Sequence, residues 1–117
     1  MDQFDEIFPR RAETYKIIVV EDVRRQRIVG AGTIFFEMKF IWNCRQCGHI
    51  EDIVVDKSQR GKNLGYRIIM LLKDLATVND CERVILDCAD YNVPFYQKCG
   101  FFVKGYEMAH YINKDNP

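Results

Sequence analysis

"IEDIVVDKSQRGKNLGYRIIMLLKDL" (residues 50–75) passes from a β-branched run through a basic, glycine-spaced loop into an apolar-striped helix. Leu64, Ile68, Leu71, Leu72, Leu75 and Val78 recur at helical intervals and predict a helix over about 63–79. The β-branched residues before the loop predict a strand, "GHIEDIVV", over 48–55. A strand–loop–helix junction presents unpaired backbone N–H groups and the positive end of the helix dipole, which suits a phosphate. Arg60, Gly61, Lys62, Asn63, Leu64 and Gly65 stand at that mouth, with the carboxylates Glu51 and Asp52 one strand-length upstream. Glycines let neighbouring N–H groups converge on an anion, and Arg and Lys add charge. A plain solvated connection also favours Gly, Lys and Asn, so the loop alone leaves both readings open.

Outward from this segment, "TYKIIVVE" (14–21) reads as a buried strand and "DVRRQR" as a turn. "IVGAGTIFFEMKF" (28–40) is a long second strand whose Gly30 and Gly32 invite a bend or a close backbone approach. "IWNCRQC" is a loop. After the helix, "RVILDC" (83–88) is short and continuously apolar, as a central parallel strand is. Asp90 or Asn92 can cap a second helix, with Pro94 in its first turn and Gly100 ending it. "FFVKGYEMAHYI" (101–112) makes a last strand, and Phe4, Ile7 and Phe8 fall at helical spacing before Pro9. The order β-β-β-α-β-α-β predicts an α/β fold: an antiparallel start, a β-α-β-α-β finish, and a mixed sheet with helices packed on it.

A chain of 117 residues is one domain over 1–117. Seventeen basic residues balance seventeen acidic ones, so no overall field favours nucleic acid or an anionic membrane surface. Arg24, Arg25 and Arg27 lie between two strand-like runs and read as a solvated hairpin tip. No apolar stretch approaches the roughly 20 residues of a membrane span. The charged opening "MDQFDEIFPRRAET" does not resemble a secretory signal. Five cysteines without framework spacing suit reduced thiols, so a cytoplasmic location is expected.

"GHIEDIVVDKSQRGKNLG" (48–65) followed by "ILDCADYNVPFYQKCGF" (85–101) closely resembles the glucosamine-6-phosphate N-acetyltransferases, a branch of the GNAT superfamily of acetyl-CoA-dependent acyltransferases. The resemblance runs over about residues 17–108 in several separated blocks. The superfamily loop Q/R-x-x-G-x-G/A matches Arg60 to Gly65, with Asn63 in place of the middle glycine. Asn is the side-chain-bearing residue most tolerant of left-handed backbone, so the cradle is expected to survive. The resemblance implies that the diphosphate of coenzyme A lies on this loop. Its pantetheine arm would run beside Ile53, Val54 and Val55, where a splayed strand edge offers backbone donors and acceptors.

By the same resemblance, Glu51 and Asp52 border cofactor and amine, and Asp87 orients or deprotonates the amine. Tyr96 is the acid or donor beside the sulfur, and Asn92 contacts cofactor or substrate. An amine that arrives as ammonium must lose a proton before it attacks, and the departing thiolate gains from a donor. The stretch "EMKFIWNC" (37–44) matches the loop that touches the sugar phosphate. Lys39 is the expected phosphate contact, with Phe40, Ile41 and Trp42 beside it. The resemblance also implies a homodimer in which both subunits contribute to each site. A further strand and about one and a half helices precede the equivalent of residue 4 in the family, so the domain is expected to be N-terminally short.

Other readings compete. Cys44, Cys47 and His49 form C-x-x-C-x-H, but a structural zinc site wants a second pair and none follows, so no metal is expected. Cys88, next to Asp87, could form a mixed disulfide with coenzyme A under oxidation; Cys81 and Cys99 read as small apolar fillers. Trp42 stands where relatives often carry His, and "EMAHYINKDNP" lacks their C-terminal Arg. The expected function is acetyl transfer from acetyl-CoA to glucosamine 6-phosphate. The alternatives are another small primary amine, or a homologue that binds acetyl-CoA without turnover.

Overall fold

The computed structural model of the chain describes residues 14–39, 45–59 and 61–113. The chain divides into two compact units, Met1–Leu86 and Asp87–Pro117. The first holds β1 (Tyr15–Asp22), β2 (Arg27–Lys39), β3 (Arg45–Val55), a 3₁₀ turn (Lys57–Gln59), α1 (Leu64–Val78) and β4 (Cys81–Ile85). The second holds a 3₁₀ turn (Asp90–Asn92) and α2 (Val93–Lys98). The expected amphipathic turn around Phe4 lies outside the described residues.

The sheet of the first unit runs β1-β2-β3-β4, with β1–β2 and β2–β3 antiparallel and β3–β4 parallel, the mixed architecture expected. Parallel strands need a long crossover, and α1 supplies it. Strand residues two apart share a face. Gly30, Gly32, Ile34 and Phe36 of β2 accordingly turn one face to α1, whose Ile68, Ile69, Leu72 and Ala76 are buried. Ile34, Ile68, Ile69 and Leu72 have no exposed surface. Side chains of this kind contribute about 1.5–3 kcal/mol each when fully buried. The helix lies so close that a Cβ on Gly32 would sit 2.7 Å from both Ile53 Cδ1 and Ile68 Cγ2. At this site glycine answers the close approach expected of it.

Polar contacts pin the far end of the sheet. Arg45 reaches Glu82 at 3.0 Å and Asp80 at 3.3 Å, and the Gln46 amide donates to the Asn79 carbonyl at 2.8 Å. Both join the start of β3 to the turn between α1 and β4, and Arg45, through Glu82, joins it to β4 itself. Among the described residues no helix is long and apolar enough to cross a membrane.

Four expectations are corrected. The first strand is not buried: among the described residues it is the edge of the sheet, and its outward residues Tyr15, Ile17 and Val19 are exposed. β3 begins at Arg45, inside the expected loop, because Arg45 to Cys47 pair with Glu37 to Lys39 of β2. The strand expected over 83–88 is Cys81–Ile85, and among the described residues it borders the sheet rather than lying within it. Residues 101–111 form no strand, and Phe102, Val103, Tyr106, Met108 and Tyr111 are exposed. Apolar alternation marks a segment able to pair, but a strand exists only where a neighbouring backbone receives its hydrogen bonds.

Candidate active site

The site begins with a mismatch between neighbouring strands. β4 stops at Ile85, opposite His49, whereas β3 continues to Val55. Beyond that pair, no strand among the described residues bonds to the β4-facing edge of β3. Its N–H and C=O groups are therefore available to a ligand.

A bulge reshapes the same stretch. Thr33 pairs with Glu51 and Ala31 with Val54, so Asp52 and Ile53 together oppose Gly32. Asp52 takes the left-handed conformation, φ 58°, that such a two-against-one arrangement needs and that Asp tolerates better than most residues. The extra residue resets the alternation. Ile53 turns under α1, while Val54 is 59% exposed. Glu51 shares the opposite face of the sheet with His49, and both Glu51 and Asp52 are solvent-accessible.

The strand then runs into the loop. Asp56 N–H donates to the Val29 carbonyl at 2.8 Å, closing β3. One carboxylate oxygen of Asp56 accepts from Ser58 N–H at 2.8 Å, and the other meets the Arg27 guanidinium. The Ser58 hydrogen bonds, aided by Arg27, hold the Asp56 carboxyl below its usual range. Gly61 has φ +85° with open space where a Cβ would be, so conformation rather than crowding calls for glycine. Asn63, the residue in place of the middle glycine, is left-handed at φ 58°, ψ 23°, as expected. It stands at the N-cap of α1 without a side-chain cap, and the first turn of α1 carries no acidic residue. The positive end of the helix thus faces outward uncompensated by a local carboxylate. The Lys62 ammonium donates to Gln59 Oε1 at 3.3 Å, which keeps one loop cation beside the turn.

The second unit carries the other candidates. Asp87 is exposed at its start, and Asn92 is the N-cap residue of α2 but makes no side-chain cap bond. Pro94 sits in the first turn as expected. The helix ends at Gly100, φ +94°, with Gly100 N–H on the Gln97 carbonyl and Phe101 N–H on the Tyr96 carbonyl, both at 3.0 Å. This is the double-bonded left-handed stop, with its customary apolar contact supplied by the Phe101 ring 6.1 Å from that of Tyr96. Phe95 packs edge-on against Tyr96 from the other side, centroids 5.0 Å apart. Half-buried Tyr96 is therefore held by its neighbours. Burial pushes its phenol above the ordinary value, and the nearby Cys88 and Cys99 thiols push the same way.

The structure gathers Glu51, Asp52, Ile53, Val54, Val55, Gly61, Lys62, Asn63, Leu64 and Gly65 along one path in the first unit, and places Asp87, Asn92 and Tyr96 in the second. Lys39 ends β2. Arg60, Phe40, Ile41, Trp42 and Cys44 lie outside the described residues. Among the described residues no three His, Cys, Asp or Glu side chains cluster as metal ligands; His49 Nε2 lies 2.8 Å from Glu37 Oε1. Sequence reasoning missed Asp56 and its partner Arg27. The signal for the first was D-K-S, an acidic side chain two residues before a small polar one, which favours a side-chain-capped turn. No local signal joins residues 27 and 56.

Comparison with known proteins agrees with this geometry. Residues 1–101 match the Acetyltransferase (GNAT) family. The chain is 47% identical over 112 residues to glucosamine 6-phosphate N-acetyltransferase 1 of Dictyostelium discoideum, covering 96% of this chain and 71% of that protein. Its fold is similar to the crystal structure of the glucosamine-6-phosphate N-acetyltransferase of Arabidopsis thaliana, with a TM-score of 0.84 at 39% identity, covering 94% of this chain and 74% of that one. An acetyltransferase of Trypanosoma brucei superposes with a TM-score of 0.83 at 35% identity, covering 93% and 77%. The open edge of β3, the left-handed loop at the head of α1 and these likenesses converge: the chain belongs to the acetyltransferase (GNAT) family.

Proposed function

We propose that the chain transfers the acetyl group of acetyl-CoA to the 2-amino group of D-glucosamine 6-phosphate, by direct attack and without a covalent enzyme intermediate. The product would supply N-acetylglucosamine phosphate for UDP-N-acetylglucosamine synthesis. The observation that carries the reading is the β3 edge left open beyond the His49–Ile85 pair and leading into the Gly61–Gly65 turn at the head of α1. The likeness to the Dictyostelium and Arabidopsis enzymes supports the acceptor.

In this reading the N–H groups of Gly61 to Gly65, with Arg60 and Lys62, hold the diphosphate of the co-substrate. Backbone groups of Ile53, Val54 and Val55 bond its two pantetheine amides, and one N–H polarises the thioester carbonyl. Glu51 takes the proton that the acceptor ammonium must lose; Asp52 and Asp87 orient the nitrogen. The C–N bond forms, the C–S bond breaks, Tyr96 gives its proton to the departing thiolate, and the second proton that the acylated nitrogen sheds returns to the phenol. Asn92 contacts the bound co-substrate. Lys39 meets the sugar phosphate, with Phe40, Ile41 and Trp42 around the ring. The reaction so written needs no metal ion, and the setting is cytoplasmic.

A homodimer completes the reading. Residues 102–111, without regular structure and with Val103, Tyr106 and Met108 exposed, offer backbone and apolar side chains that a second copy could pair with. The test follows thiol release from acetyl-CoA with glucosamine 6-phosphate, glucosamine and a series of small primary amines. Release confined to the phosphorylated sugar is expected. Equal release with glucosamine would remove the phosphate role, and silence with every amine would remove the enzyme.

A further inference from the structure

Asp56 is a hub that the reaction does not use. Its backbone closes β3 on Val29, its carbonyl accepts from Gln59 N–H at 2.9 Å, and its carboxylate caps the turn at Ser58. Gln59 in turn receives the Lys62 ammonium. The shape of the turn leading into the anion loop therefore depends on where this one carboxylate is held. Left alone, it would also be an uncompensated negative charge four residues ahead of Arg60, against an incoming diphosphate. Arg27, at the start of β2, meets its second oxygen and answers both problems.

We propose that Arg27 is a positioning residue for coenzyme A binding: through Asp56 it fixes the Lys57–Gln59 turn and masks a carboxylate that would repel the diphosphate. The inference rests on the acetyl-CoA reading above. The pair is half-open, with Arg27 49% and Asp56 28% exposed, so its contribution is modest rather than decisive.

The two roles leave separable marks on binding of coenzyme A to the full chain, measured by calorimetry without acceptor. Arg27→Ala loses the brace and bares the carboxylate, so affinity should fall about two- to fivefold, as a half-exposed ion pair implies. Asp56→Asn keeps an oxygen for Ser58 N–H and removes the charge, so it should cost about twofold or less. The double variant should recover part of the Arg27→Ala loss, and Arg27→Lys most of it. In steady state the change should fall on KM for acetyl-CoA, leaving kcat and KM for the acceptor within about twofold of wild type. Partial recovery in the double variant is the decisive sign, because a purely structural brace gives none. Unchanged affinity in Arg27→Ala, a double variant as weak as or weaker than the single one, or equal losses for both substrates would overturn the proposal. Wild-type protein that binds no coenzyme A would instead overturn the reading beneath it.

Discussion

Tyr96 governs the last proton of the proposed transfer, and its surroundings suit a donor. Burial, and then the Cys88 and Cys99 thiols, raise the phenol above its usual value, so it keeps its proton through neutral and mildly alkaline pH. The sign is favourable: an acid must be protonated, and a raised pKa moves its loss to higher pH. Tyr96→Phe should lower kcat about 100-fold with unchanged coenzyme A affinity. In wild type the alkaline limb of kcat attributable to Tyr96 should lie above about pH 10, the ordinary tyrosine range. Equal loss of turnover and of coenzyme A binding in Tyr96→Phe would return the residue to packing. Lys39→Ala should raise KM for glucosamine 6-phosphate by about tenfold or more while acetyl-CoA is little affected, the pattern of a lost charge-assisted contact. A like rise for both substrates would deny that contact. At this scale the backbone residues were legible from their own preferences, Asn63 where the chain turns left-handed and Gly100 where the helix ends, whereas the roles of the carboxylates and of Tyr96 came only from the family resemblance. Arg27 was not legible, since its role exists only once a hairpin brings it to Asp56 across the sheet.

At the scale of elements, the bulge opposite Gly32 matters most, because it turns Ile53 under α1 and resets the alternation of β3 ahead of the loop. A methyl at Gly32 would meet Ile53, Ile68 and Leu72 within 2.7 to 3.0 Å, so neighbours on strand and helix must both move. Gly32→Ala should cost about 1–3 kcal/mol of stability. That lowers Tm by about 4 °C per kcal/mol and should also weaken coenzyme A binding. Unaltered Tm would mean the approach is looser than the geometry shows. On β4, burial pushes the Cys81 thiol up to about 11, with Cys47 and Asp80 adding to it. The folded chain then keeps a proton that the unfolded chain releases near pH 9, so stability falls as pH rises from about 9 to 11. Cys81→Ala should flatten that part of the Tm profile; an identical slope in both proteins would count against the shift. The helix over 64–78 and the long second strand were readable from periodicity alone. Strand limits were less so, because pairing with β2 rather than composition starts β3 at Arg45.

For the whole molecule, the open question is what the exposed C-terminal segment meets. Its apolar alternation read as a strand, yet residues 101–111 hold no strand within the chain, since no alternation can supply the partner backbone. The dimer proposal turns that mismatch into an expectation: wild type should sediment at twice its monomer mass, and Val103→Glu with Met108→Glu should give monomers with little turnover. A fully active monomer would remove the second copy from the site. The mixed sheet, by contrast, followed from element order, because three strand-like runs before a helix and a short apolar run directly after it leave few arrangements. The most direct check of the account is a crystal structure of the protein with coenzyme A. It should show the diphosphate on the backbone N–H groups of Gly61 to Gly65 and the pantetheine alongside Ile53 to Val55; a nucleotide seated anywhere else would contradict the account.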